Sequence, residues 1–581
     1  MSRFSAPIAE QIWDMKYRLK DSGGQPADLS VEDSWRRVAR DLARVEKDPA
    51  LWEDRFYAAL EDFKFLPAGR ILAGAGTGRE VTLFNCFVMG TIPDSMAGIF
   101  DMLKEAALTM QQGGGIGYDF STIRPRGAEV KGVAADASGP LSFMDVWDAM
   151  CRTIMSAGSR RGAMMATMRC DHPDIEAFIE AKQDSARLRM FNLSVLVTDA
   201  FMEAVKADGP WDLQFGGKVY HTVRARDLWN RIMRATYDYA EPGVIFIDRI
   251  NQQNNLNYAE TVAATNPCGE QPLPPYGACL LGSVNLARLV EAPFTAHARL
   301  NPEALDELVR TAVRMMDNVV DASKFPLPQQ SAEAQAKRRI GLGVTGLADA
   351  LLMLGLRYGA ADAVEQTRVW MKAIARSAYL ASVDLAREKG AFPLFDAKKY
   401  LASGFMRRMD ADLREAVARH GIRNALLTSI APTGTISFTP AMSARASSRS
   451  LPMPIPARCC KRTARAPRRR SWITPCRCGA TSRATRRCRI TSSTPRRWRR
   501  WTMSPCRRRH RNGWTARSPR PSTAPRTSHS RISRTSTWPH GTRAARAAPP
   551  IGRTRSPARS CRSAKRPRRR RRPTRAPTWS I

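Results

Sequence analysis

The stretch "ATNPCGEQPLPPYGACLLGSVNL", Ala264–Leu286, sets an amide, a thiol and a carboxylate at alternate positions: Asn266, Cys268 and Glu270. In an extended backbone alternate residues share a face, so a polar donor, a thiol and a base would meet one reactant together. Pro267 and Gly269 suit a tightly held irregular loop better than a helix. A second thiol, Cys279, follows eleven residues on. Each chemical segment also has a plain reading. A buried cysteine is most often a small hydrophobe, and Cys151 and Cys170 are read so. "GGGIG" (Gly113–Gly117) lacks the Lys-Ser/Thr ending of a phosphate-binding P-loop and by itself reads as a tight turn. "PTGTIS" (Pro432–Ser437) is either a Ser/Thr turn or an anion site, and the Met-rich "GAMMATM" reads as packing.

Composition bounds the partners. The 581 residues carry a formal charge of +40, but unevenly. Ser443–Ile581 holds 39 Arg and 2 Lys with no Asp or Glu, or +41. The first 442 residues hold 93 − 41 = 52 basic against 53 acidic residues, a net of −1. A near-neutral globular body is therefore joined to an extremely basic segment. Five of the 12 cysteines lie in the body, too few for a secreted disulfide framework. The N-terminus has no apolar signal-peptide core, and no run of about 18 apolar residues occurs, so no membrane span is expected. A cytoplasmic location fits both observations.

Periodicity places the elements that must hold the chemistry. Residues 1–66 read as helical, followed by a Gly/Pro-rich break and the β-favouring "VTLFNCFVMG" around Cys86. A helix over 95–112, a turn over 113–127, a helix over 141–157 and a loop over 158–181 come next. "FNLSVLVTDAFMEAV" reads as a strand followed by a helix, and helices dominate 300–425. Strands alternating with helices indicate an α/β barrel or wound sheet. The expected organisation is a helical region over 1–75, a catalytic α/β domain over 76–442 and an Arg-rich tail over 443–581.

In order, the chain carries "FNCFV", "GGGIGYDFS", "GSRRGAMM", "DHPDIEAFI", "NPCGEQPL", "GSVNL", "GLGVTGLADAL" and "IAPTGTIS". Together these motifs resemble the catalytic subunit of ribonucleotide reductases, over roughly residues 50–438. The wording of "NPCGEQPL" is most similar to the adenosylcobalamin-dependent class. The resemblance implies a ten-stranded α/β barrel behind an N-terminal helical region, with Cys268 at a loop tip as a transient thiyl radical that removes the ribose 3′-hydrogen. Glu270 would take the 3′-hydroxyl proton as general base, and Asn266 would hydrogen-bond substrate and hold that carboxylate. Cys86 and Cys279 would be the dithiol that supplies two reducing equivalents and ends as a disulfide.

Further roles follow from the same resemblance. Pro432, Thr433, Gly434, Thr435, Ile436 and Ser437 would wrap the substrate phosphates with backbone N–H groups and open a helix. Asn85, Gly114 and Gly115 would border the ribose. Ser159, Arg160, Arg161 and Gly162 would form the loop that links a bound deoxynucleotide effector to substrate choice; its plain reading is a solvated basic loop. Adenosylcobalamin is the implied cofactor, with no metal-ligand motif in the body. A thioredoxin-like or other dithiol reductant and a homodimer of the intact protein are the implied partners. No N-terminal ATP-binding domain is expected.

Two alternatives stand beside this reading. A metal-dependent class of the same family would take its radical from a separate subunit. The tail could instead bind nucleic acid, since dense arginine attracts phosphates. A tail with 39 Arg, scattered Trp and Cys, and no carboxylate also fits a shifted reading frame. Codons can be chosen for "RSLPMPIPARCC" so that the neighbouring frame gives text with ordinary apolar alternation. On that reading the barrel is incomplete, the tail is disordered, and the chain as written is inactive beside a reading-frame-restored version.

Overall fold

The computed structural model describes residues 3–4, 6–130, 135–154 and 162–440. The basic tail and Ser159, Arg160 and Arg161 lie outside the described residues.

Three helices open the chain: α1 (Pro7–Lys16), α2 (Val31–Ala43) and α3 (Pro49–Leu60). Ser30 and Asp33 close a reciprocal capping box at the start of α2, satisfying backbone N–H groups that helix geometry leaves without partners. Trp35, Val38, Ala39 and Leu42 of α2 recur at helical spacing and are buried in the main core.

Nine strands carry the rest of the frame: β1 (Phe65–Pro67), β2 (Cys86–Val88), β3 (Gly115–Asp119), β4 (Met164–Arg169), β5 (Phe191–Val197), β6 (Gly243–Phe246), β7 (Ala278–Cys279), β8 (Leu281–Asn285) and β9 (Gly341–Thr345). Six form one sheet in the order β6-β5-β4-β3-β2-β7, with β2 to β6 parallel and β7 antiparallel to β2. The other three form a sheet ordered β1-β8-β9, with β8 and β9 parallel. Segment 426–429 runs beside β9, through Leu342 N to Leu427 O at 2.7 Å and Ser429 N to Leu342 O at 3.0 Å. The two larger sheets hold nine strands among the described residues, with four two-stranded ribbons besides, where the resemblance implied one ten-stranded barrel.

Helices cover the outer face, as parallel strands require. Two of them, α4 (Met96–Gln111) and α5 (Pro140–Thr153), lie between strands in sequence, as does the long α6 (Pro302–Ala322), and α7 (Ala361–Lys389) follows β9. Along β3 and β4, Ile116, Tyr118, Met164, Ala166 and Met168 enter the helix-covered core. The alternate residues Gly115, Gly117, Met165 and Thr167 therefore face the other side. Two expectations are corrected here. The segment 113–127, read as a turn, contains β3, and the loop 158–181 contains β4 and a helix over Ile175–Glu180. A strand also interrupts the helical run at Gly341–Thr345.

A buried ionic cluster ties the helical region to the barrel. Glu46, just past α2, is bonded by Arg314 at 2.8 Å from α6, by Asn318 at 2.8 Å and by Lys389 at 2.9 Å. Burial pushes its carboxyl up, but these three donors outweigh that and hold it at about 2.

Candidate active site

A short hairpin projects along the inner face of the six-stranded sheet. Its arms pair Ala264 with Leu273 and Thr265 with Pro272, antiparallel. Three docking points fix the incoming arm. Thr167 Oγ1 lies 3.0 Å from the carbonyl of Ala263, to which it can donate. Gly117 meets the carbonyl of Thr265 so closely that a Cβ there would overlap it. Asn192 Nδ2 donates to the carbonyl of Pro267 at 2.5 Å. The two glycines of β3 therefore exist to admit the hairpin: a Cβ at Gly115 would meet Pro267 Cγ at 3.0 Å and Cys86 Sγ at 3.1 Å.

At the tip the chain turns. Gly269 N donates to Asn266 O at 3.0 Å, with Pro267 and Cys268 at the two central positions, and Gly269 takes φ of +80°. This corrects the extended geometry expected for Asn266, Cys268 and Glu270: a turn, not a strand, separates them, because Pro267 fixes its own φ and Gly269 accepts the left-handed one. The turn leaves Cys268 exposed while Asn266 is fully buried and Glu270 partly so. Asn266 Oδ1 accepts from Gln271 N at 3.0 Å, which turns its Nδ2 the other way as a buried donor with no partner. Ser429 Oγ holds the returning arm through the Glu270 carbonyl at 3.2 Å.

Cys86 and Cys279 are register partners across the β2–β7 pair, and both are buried. Directly opposed antiparallel residues have Cα atoms about 4.5–5.5 Å apart, inside the range of about 4.4–6.8 Å that a disulfide spans. Asn85 N donates to Cys279 O at 3.0 Å and Gly115 N to Asn85 O at 3.0 Å, so Asn85, Gly114 and Gly115 sit at the same strand ends. By contrast, burial pushes the Cys151 thiol up to about 11 and the Cys170 thiol up to about 12, which keeps both protonated. That fits their packing role.

The segment Pro432–Ser437 follows the strand-like 426–429. Thr433 is buried with φ of +51°, and its Oγ1 is a buried polar atom with no partner. Gly434 is half-buried and Thr435 exposed, and Ile436 and Ser437 enter a three-residue 3₁₀ turn, Ile436–Phe438, rather than the helix expected. Of the effector-loop residues only Gly162 is described; its backbone lies against Met110 and Cys151 with no room for a Cβ. Among the described residues no group of three His, Cys, Asp or Glu side chains could hold a metal ion, and no helix is long and apolar enough to cross a membrane.

Sequence reading missed Thr167, Gly117 and Asn192. Each acts on a hairpin 75 to about 150 residues away in sequence, and only the unusual glycines in a strand were a visible hint.

A barrel wall of parallel strands with a thiol-tipped hairpin laid along its inner face is the architecture these observations define. Residues 84–458 match the family model described as "Ribonucleotide reductase, barrel domain", and residues 3–80 match "Ribonucleotide reductase, all-alpha domain". The chain belongs to the ribonucleotide reductase family. It is similar to the vitamin B12-dependent ribonucleoside-diphosphate reductase of Mycobacterium tuberculosis (strain CDC 1551 / Oshkosh), 40% identical over 431 residues, covering 73% of this chain and 59% of that protein. A protein of the same name from Thermoplasma acidophilum is 37% identical over 388 residues, covering 66% and 48%. The ribonucleoside-diphosphate reductase subunit alpha of Chlamydia muridarum is 29% identical over 462 residues, covering 69% and 44%. The chain thus spans 59% of the length of the first of these relatives and less of the others.

Proposed function

We propose that the body carries the machinery for reducing ribonucleotides, as ribonucleoside diphosphates, to 2′-deoxyribonucleotides for DNA synthesis, with adenosylcobalamin as cofactor. The observation that carries this reading is the exposed Cys268 at the tip of a buried hairpin, whose wall holds Cys86 and Cys279 in register.

The cofactor reading rests on the exposed thiol: Cys268 and Gly269 are both exposed at the turn, and no heavy atom lies within 4 Å of a Cβ position at Gly269, so the tip is open to a reactant. Bound adenosylcobalamin would supply an organic radical able to take a hydrogen atom from that thiol. The remaining steps belong to the chain. The Cys268 sulfur takes the ribose 3′-hydrogen. Glu270 accepts the 3′-hydroxyl proton, aiding loss of the 2′-hydroxyl as water. Asn266 offers its unpartnered Nδ2 to the substrate. Cys86 and Cys279 deliver two electrons and become a disulfide, which a thioredoxin-like or other dithiol restores. The strained Thr433 and the turn after it offer backbone N–H groups for the substrate phosphates.

Ser159, Arg160, Arg161 and Gly162 are the proposed link to a deoxynucleotide effector. Exposed apolar residues on α4 (Met96 61%, Phe100 47%, Leu108 42%) support a homodimer formed through that helix. A cytoplasmic location accords with thiol chemistry that needs a reducing compartment. The test is to supply the reading-frame-restored chain with a ribonucleoside diphosphate, adenosylcobalamin and a dithiol, and to measure deoxyribonucleotide. Product that requires adenosylcobalamin supports the proposal. Product formed without it, but with a separate radical-generating subunit, would move the chain to the metal-dependent class.

A further inference from the structure

The reactive tip is a four-residue turn, Asn266–Gly269, closed by the Gly269 N–H to Asn266 O bond. Its central peptide joins Pro267 to Cys268. Turns with proline at the second position adopt either of two forms, which differ by a flip of that central peptide through about 180°. Proline fixes the φ before the peptide and leaves the flip open. A flip would carry Cys268 into a positive φ and swing its side chain away. Cys268 is not among the positive-φ residues, so the chain holds the unflipped form.

Asn192 grips this peptide. It is an exposed residue of β5 in register with Met165 of β4 and Gly117 of β3, on the face along which the hairpin runs. Its Nδ2 donates to the carbonyl oxygen of Pro267, the atom that a flip would reverse. The other two docking points of the incoming arm, at Ala263 and Thr265, lie below the turn and leave its central peptide untouched.

We propose that Asn192 is a positioning residue that latches the Pro267–Cys268 peptide and so fixes the direction in which the Cys268 thiol points. It touches neither substrate nor cofactor in this role; it acts through the loop. The inference rests on Cys268 being the reacting thiol, but the latch itself is a matter of loop geometry and is read without turnover.

The test uses the full chain, labelled on cysteine with a trifluoromethyl ketone reagent and observed by ¹⁹F NMR. A Cys268→Ser control identifies the Cys268 resonance among those of the other thiols. The parent should give one Cys268 resonance. Asn192→Ala should split it or broaden it at least twofold, with the thermal midpoint and the other resonances unchanged. Asn192→Asp keeps the shape but has no N–H to donate, and should behave like the alanine variant. A parent-like single resonance in both variants would overturn the latch. Loss of the fold in both variants would overturn it too, by making Asn192 a general structural residue. Failure of Cys268 to support turnover would sink the catalytic reading while leaving the ¹⁹F result as it stands.

Discussion

Gly117→Ala is the sharpest perturbation of the hairpin's seat. The added methyl would overlap the Thr265 carbonyl oxygen. An ordinary carbon-to-oxygen contact needs about 3.3 Å, so the hairpin arm would have to withdraw by more than about 1 Å. Backbone lies on both sides of the clash, so no flexible side-chain end can absorb it. Overpacking of this kind costs about 1–3 kcal/mol of stability. The functional cost should be larger, because a misplacement of about 1 Å between reacting groups lowers rates by about 10²-fold. Gly115→Ala supplies an internal comparison: its methyl would stand 3.0 Å from Pro267 Cγ and 3.1 Å from Cys86 Sγ, contacts that relax with a few tenths of an ångström. Gly434→Ala meets nothing within 4 Å. Thermal denaturation of the full chain and deoxyribonucleotide formation by the reading-frame-restored chain should rank the variants Gly117→Ala far below Gly115→Ala, with Gly434→Ala near the parent in stability. Parent-like rates in Gly117→Ala would refute the idea that the hairpin's seat on β3 sets the position of Cys268.

Other expectations bear on stability and redox state. The Glu46 carboxyl is held at about 2 against an ordinary 4.5, so its stabilising share is complete above about pH 5 and is lost as pH falls through about 2. That depression corresponds to about 3 kcal/mol, so Glu46→Gln should lower urea-unfolding stability by that order at pH 7 and flatten its acid dependence. Asp119 goes the other way: burial, only partly offset by Ser121, raises its carboxyl to about 6. Stability should therefore fall as pH rises from about 4 to 6, and Asp119→Asn should remove that slope in the same urea measurement. Mild oxidation should join Cys86 to Cys279, seen as a cross-linked peptide pair by mass spectrometry; a cross-link from either to Cys151 or Cys170 instead would break the pairing. Deleting residues 443–581 should leave the melting of the body unchanged, and loss of salt-sensitive nucleic-acid binding on that deletion would give the tail a role of its own.

Much of the frame was legible because it obeys simple periods. The helices α2 and α6 announce themselves by apolar spacing, and β5 by its run of branched apolar residues. What sequence hid was hidden by tertiary contact. β4 is Met-rich, with Thr167 its one β-branched residue, so little in it marks a strand. β3 reads as a turn because glycine weakens strands, yet Gly115 and Gly117 are in a strand because a second backbone passes against them. The proposed triad of Asn266, Cys268 and Glu270 stood out by residue type, but its turn geometry did not, and the pairing of Cys86 with Cys279 came from family resemblance alone. Asn192 carried no local signal, since its partner carbonyl lies 75 residues away.

The central claim is that the sulfur of Cys268 performs the chemistry. Cys268→Ser in the reading-frame-restored chain keeps the size and polarity of the tip but gives an oxygen that cannot exchange hydrogen reversibly with a ribose carbon. Deoxyribonucleotide formation should vanish, while equilibrium binding of the ribonucleoside diphosphate stays within about twofold of the parent, a change of about 0.4 kcal/mol. Substantial turnover by Cys268→Ser would contradict the account and remove Cys268 from its role.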